Sequence, residues 1–96
     1  MVKNKTKTSK QIERHLKGVA NHWRIDILIL LAKEPNLTLG DISERLHCNF
    51  KTISEHSRRL VTAGLVNKQY HGRSVLHTLS PYGKILYNFI QTFSHS

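Results

Sequence analysis

The chain has 96 residues, enough for one compact domain, and its 15 Lys and Arg against 6 Asp and Glu leave a formal net charge of +9. That balance is the usual footprint of a protein that works beside polyanions, nucleic acid above all. The single cysteine, Cys48, excludes an internal disulfide and a thiolate metal cage within one chain, and the longest apolar run, residues 27–32, is too short to span a membrane.

A domain this small buries only about 60–65% of its unfolded surface, so its core is thin and open to completion by a partner chain. No signal-peptide pattern opens the sequence, and a reducing, cytoplasmic setting on the nucleoid is expected. The charge is unevenly placed. No acidic residue follows Glu55, whereas Arg58, Arg59, Lys68, Arg73 and Lys84 all do.

Residues 1–10 carry four Lys among Thr, Ser and Asn, too polar to offset their own ordering, and are expected to form a flexible basic arm ahead of one domain over 11–96. With Ser9 as N-cap, Ile12, Leu16 and Val19 fall on one face of a first helix over about 11–19. Asn21 is placed to cap a second helix, in which Trp23, Ile27, Leu30 and Leu31 make a stripe widened by Leu28, and Pro35 ends it. A short third helix starts at Thr38, which with Asp41 resembles a capping box. After "HCN", Asn49 caps a fourth helix, residues 49–63, with Phe50, Ile53, Leu60 and Val61 expected inward and Gly64 at its end. Two helices joined by so short a turn make a helix-turn-helix.

The period then changes. "LVNKQYH" and "SVLHTL" read as two strands around a Gly-containing turn, and Ser80-Pro81 opens a last helix over about 81–94. That helix gathers Ile85, Leu86, Phe89, Ile90 and Phe93 on one side. Together with Ile12 and Leu16 of the first helix they form the expected dimer interface, with packing onto the chain's own core as the alternative.

Within the fourth helix, Lys51, Glu55, Arg58, Arg59 and Thr62 project away from the apolar side, with Thr52, Ser54 and His56 flanking. A solvated face laced by Glu55 with Arg58 or Arg59 explains Glu55, at only about 0.3–0.5 kcal/mol per pair. It does not explain the lack of other acids on the second helix of a helix-turn-helix. In the major groove, Lys51, Thr52 and Glu55 would read bases, with Ser54 and His56 beside them, while Arg58 and Arg59 would grip phosphates. Arg73 at the hairpin tip would reach the minor groove or its phosphates.

Several stretches resemble the ArsR-type winged helix-turn-helix regulators. In "VANHWRIDILILL", Ala20, Asn21, Arg24, Ile27 and Leu28 match the family's second helix, while His22 and Trp23 replace its usual Pro-Thr pair. "NFKTISEHSRRLVTAGLV" resembles its recognition helix and exit, "HGRSVLHTLS" its wing, and "LSPYGK" is similar to the last-helix entry of MarR-like regulators. The resemblance implies a mainly α fold with a small β-hairpin, in the order α-α-α-α-β-β-α. It also implies double-stranded DNA and a second copy of the chain as partners, and a dimeric repressor as the role.

Two departures stand out. Ser57 occupies a position where the family has Leu, and its hydroxyl is expected to bond back to the carbonyl of Ile53. Thr38 and Gly40 stand where metal-sensing members carry two cysteines, which excludes that site. A His-only site between subunits would draw on His15, His22 or His95, but no two His are spaced i, i+4, so no metal and no cofactor are expected. Nor is an enzyme: there are no paired carboxylates, no Gly-rich phosphate loop and no third member beside Cys48 and His47. A winged-helix protein–protein assembly module and a non-specific architectural DNA binder are the competing functions. Control of binding stays open between none, a ligand at the dimer seam and oxidation of Cys48.

Overall fold

The computed structural model describes residues 6–94. Its elements are α1 (Ser9–Val19), α2 (His22–Lys33), α3 (Leu39–Leu46), α4 (Phe50–Thr62), β1 (Val66–His71), β2 (Ser74–Leu79) and α5 (Pro81–Ser94). This is the winged helix-turn-helix order read from the sequence.

Each helix starts where a side chain can take up its free amides. Helix α1 begins two residues earlier than expected, with Thr8 rather than Ser9 as cap. Thr8 Oγ1 accepts from the Gln11 amide at 3.2 Å, and the Thr8 amide donates to Gln11 Oε1 at 2.8 Å. The sequence offers both hydroxyls, but only Thr8 has a Gln three residues on. Of the arm expected over 1–10, residues 1–5 lie outside the described residues; Lys7 holds its ammonium 4.1 Å from the Tyr82 ring centre. Asn21 caps α2 through Trp23 and Arg24, and Thr38 and Asp41 form the reciprocal box at α3.

The core forms where the apolar stripes meet. Ile27, Leu28 and Leu31 of α2 pack with Ile42 of α3, Ile53 and Leu60 of α4, and Leu65, Val66 and Leu79 from the hairpin base. Beyond Val66 strand β1 leaves this core and is exposed, while β2 keeps His77 and Leu79 buried. The two strands pair antiparallel from Val66 with Leu79 to His71 with Ser74, leaving Gly72 and Arg73 as the turn. Leu37 adds a bridge to His77 on the other edge of β2.

Two features aim α4. The α3–α4 turn is closed by the Cys48 amide on the Ser43 carbonyl at 3.1 Å, with His47 in the left-handed region and the Ser43 hydroxyl donating to the Cys48 carbonyl. At the other end Ala63 is the C-cap and Gly64 follows at φ +78°, the conformation that glycine adopts without a Cβ penalty. Ser80 then locks the exit: its hydroxyl donates to the Gly64 carbonyl at 2.6 Å and accepts from the Gly83 amide at 3.0 Å.

Candidate nucleic-acid interface

Helix α4 presents a polar ridge set by its period. Ile53, Ser57 and Leu60 are buried, so Lys51, Arg58, Arg59 and Thr62 are left exposed, with Thr52, Ser54, Glu55 and His56 half-buried between the two faces. Lys51, Thr52, Ser54, Glu55, His56 and Arg58 border one shallow groove along the helix. Glu55 links two of the cations. Its carboxylate accepts from Arg58 at 2.9 and 3.0 Å and from Arg59 at 2.9 Å, and these bonds hold its carboxyl below the usual range. Arg73 is exposed at the hairpin tip, on a different element from the other candidates.

Two details differ from the sequence reading. Phe50 is 56% exposed rather than inward, because the first residue of a helix directs its side chain back over the preceding turn, beyond the reach of the core. Ser57 is 2% exposed but does not bond to the Ile53 carbonyl; that oxygen serves the helix ladder, and the Ser57 hydroxyl is buried without a partner among the described residues. His56 borders the groove as a flanking residue. Burial first, then the charges of Arg24 and Arg59, hold its pKa below the ordinary value.

Arg24 is the residue that the sequence reading did not assign to this surface. Burial and then Arg59 lower its pKa, and its Nε, like His56 Nδ1, is buried with no hydrogen-bond partner among the described residues. A signal existed in "NHWR", where two bulky residues replace a Pro-Thr pair. The contact across helices could not be read from either helix's own period.

The expected interface residues lie on one face of the molecule. Ile12, Leu16, Ile85, Phe89 and Phe93 are exposed, between 46% and 65%, while Leu86 and Ile90 are half-buried against the core. Leu16 of α1 and Leu86, Phe89, Ile90 and Phe93 of α5 wall one apolar groove, and Phe89 meets Phe93 edge to face at 5.0 Å.

A family model described as "Bacterial regulatory protein, arsR family" matches residues 22–68, from the start of α2 into the wing. The solved structure of reduced HlyU from Vibrio cholerae N16961 superimposes with a TM-score of 0.78 at 30% identity, over 88% of this chain and 90% of that one. The chain belongs to the ArsR family. A second HlyU structure from the same organism gives a TM-score of 0.80 at 29% identity, over 92% and 96% of the two chains. The curated Transcriptional activator HlyU of Vibrio cholerae serotype O1 is 37% identical over 65 residues, which are 68% of this chain and 59% of that protein. The match thus spans less than two thirds of that relative's length. The homodimeric winged helix-turn-helix domain of Mb0332 from Mycobacterium bovis shares the fold, with a TM-score of 0.80 at 22% identity over 96% and 91% of the chains. These relatives are named as regulators of transcription, not enzymes.

In this ArsR-family chain the third helix does not open on thiols. Thr38 and Asp41 there are occupied in capping. Of the His-site candidates, His15 is buried against Ala63 and Tyr82, His22 packs on Trp23, and His95 lies outside the described residues. Among the described residues no group of three His, Cys, Asp or Glu is placed to hold a metal, and no helix is long and apolar enough to cross a membrane.

Proposed function

We propose that this protein is a sequence-specific regulator of transcription that binds double-stranded DNA as a homodimer in the cytoplasm, with α4 in the major groove. The observation that carries the reading is the exposed ridge of Lys51, Arg58 and Arg59 on the second helix of the helix-turn-helix, with Glu55 as its one acid. Lys51, Thr52 and Glu55, in the first turns of α4, are the base-reading groups, with Ser54 beside them. Arg58 and Arg59 hold phosphates once Glu55 releases them, and Arg73 extends the contact to the flanking minor groove. The simplest action is steric repression, the dimer occupying a promoter.

Dimerisation is supported by the exposed apolar face of α1 and α5, which a monomer would leave in water. Two copies would set two recognition helices on successive turns of one face of the duplex. The test is selection from a random double-stranded library, then affinity for the winner and a scrambled duplex across salt. A two-fold-symmetric winner with half-sites about one helical turn apart, preferred about 10³-fold or more, is expected. Steep salt dependence with no preferred sequence would instead identify an architectural binder, and no binding at low salt would redirect the surface to a protein.

A further inference from the structure

A helix about 10–12 Å across fills a major groove about 12 Å wide, so the rows bordering its base-reading ridge face the two sugar-phosphate backbones. On α4 one bordering row carries Ser54 and Arg58, which share a cleft with Lys68 of β1. The other row carries His56 and Arg59, spaced i and i+3, and it faces the start of α2.

There the structure gathers nitrogen donors without enough acceptors among the described residues. Arg24 and His22 come from α2, His56 and Arg59 from α4, and Glu55, the carboxylate beside them, is already bonded to Arg58 and Arg59. Arg24 Nε and His56 Nδ1 are both buried and both lack a hydrogen-bond partner among the described residues. The helix end itself is not the attraction, because Asn21 Oδ1 takes the Trp23 and Arg24 amides at 2.9 and 3.3 Å. What the seam lacks is an anion with several acceptor oxygens. A buried donor left unmade costs free energy, and a guanidinium paired with a phosphate oxygen is among the stronger ways to satisfy one.

We propose that Arg24, His56 and Arg59 form a pocket for one backbone phosphodiester of duplex DNA, on the side of α4 opposite the wing. This deepens the DNA-binding reading and rests on it. It makes Arg24 a DNA-contacting residue and moves His56 from base reading to backbone contact. With Arg58 and Lys68 on the opposite border, α4 is gripped from both backbones. The phosphate also supplies the counter-charge that His56 lacks, so His56 takes up a proton as DNA binds.

The experiment measures affinity of the full chain for a mixed-sequence duplex and for the duplex recovered by selection, between about 50 and 200 mM salt. Arg24→Gln is expected to weaken both alike, about eightfold at 0.1 M salt, and to make the slope of log affinity against log salt shallower by about 0.9, the release of one counterion. Arg24→Lys should recover most of the slope. His56→Gln supplies an independent arm. Wild-type affinity should rise as pH falls from about 8 to about 6, and H56Q should flatten that rise. Wild-type slope and affinity in R24Q, or an unchanged pH dependence in H56Q, would overturn the pocket while leaving DNA binding intact. A wild-type chain that binds neither duplex would overturn both readings together.

Discussion

His15 Nδ1 donates to the carbonyl of Ala63 at 2.7 Å, tying the middle of α1 to the last turn of α4. The same ring stacks on Tyr82 of α5 with centroids 4.9 Å apart. One side chain thus joins both helices of the exposed apolar face to the end of the polar one. His15→Ala would leave the Ala63 carbonyl without this donor and open a gap beneath Tyr82. A loss of about 1–3 kcal/mol is expected in urea unfolding, compared at equal protomer concentration because a dimer's stability depends on it. A midpoint unchanged from wild type would show that the bond does not hold α1 in place.

On the proposed DNA-binding surface Glu55 would act as a brake. Its bonds to Arg58 and Arg59 withhold two guanidinium groups from phosphate. Its lowered pKa means that it remains charged at any working pH, so the brake is not released by mild acid. Glu55→Gln is expected to raise affinity for mixed-sequence duplex several-fold and to steepen the salt slope. It should also weaken discrimination by about 1–3 kcal/mol at whichever base pair Glu55 reads. Lower affinity for every duplex would instead mean that Glu55 orders the two arginines for DNA rather than withholding them.

Ser57 is a buried polar group with no hydrogen bond among the described residues to offset its burial. Removing an unsatisfied buried hydroxyl is favourable where the vacated space is small. Ser57→Ala should stabilise the chain by about 1 kcal/mol, a melting shift of about 4–8 °C for a domain of this size. Ser57→Leu should gain as well, since a small cleft lined by Leu39, Val61 and His77 adjoins the site. Unchanged melting in both variants would mean that the hydroxyl is solvated.

Caps and periods carried most of the architecture in the sequence. Asn21, Thr38, Asn49 and Ser80 each start a helix through a side-chain bond, and the two β-prone runs around Gly72 mark the wing, because these are local effects of a few neighbouring residues. The polar ridge of α4 was legible for the same reason. Three features were not. Phe50 has the right phase for the core but lies too near the helix end to reach it. Ser57 keeps its place in the stripe while its hydroxyl finds no acceptor. Arg24 meets His56 only because α2 and α4 pack together, and such an encounter across helices leaves no mark in the spacing of either.

The apolar face makes a prediction about assembly. Phe89 and Ile85 are 52% and 61% exposed, with Phe93 beside Phe89. A charge placed there costs the monomer little, because the side chain already meets solvent, but it would be buried unpaired in a dimer. Phe89→Glu is therefore expected to leave the far-ultraviolet spectrum intact, to halve the mass by sedimentation, and to remove preference for a symmetric site. A dimer of undiminished stability would place the interface elsewhere.

His77 sets a pH dependence on folding. It is 3% exposed on β2, with Nδ1 3.0 Å from the Leu37 carbonyl and its amide 2.8 Å from the same oxygen. Burial is the main cause that lowers its pKa from 6.5, Lys68 lowers it further, and the bond to Leu37 partly opposes both. The unfolded chain therefore binds this proton more readily than the folded one, so stability rises with pH across that interval. His77 should cost nothing above the unfolded value near 6.5, and its penalty should grow as pH falls through that value toward the folded pKa. His56, whose pKa is also lowered, adds a change of the same sign. Urea midpoints measured from pH 8 down to about 5 should fall, and His77→Gln should flatten part of that fall. A wild-type midpoint that does not move, or a variant that tracks wild type at every pH, would mean that the folded ring takes up its proton as readily as the unfolded one.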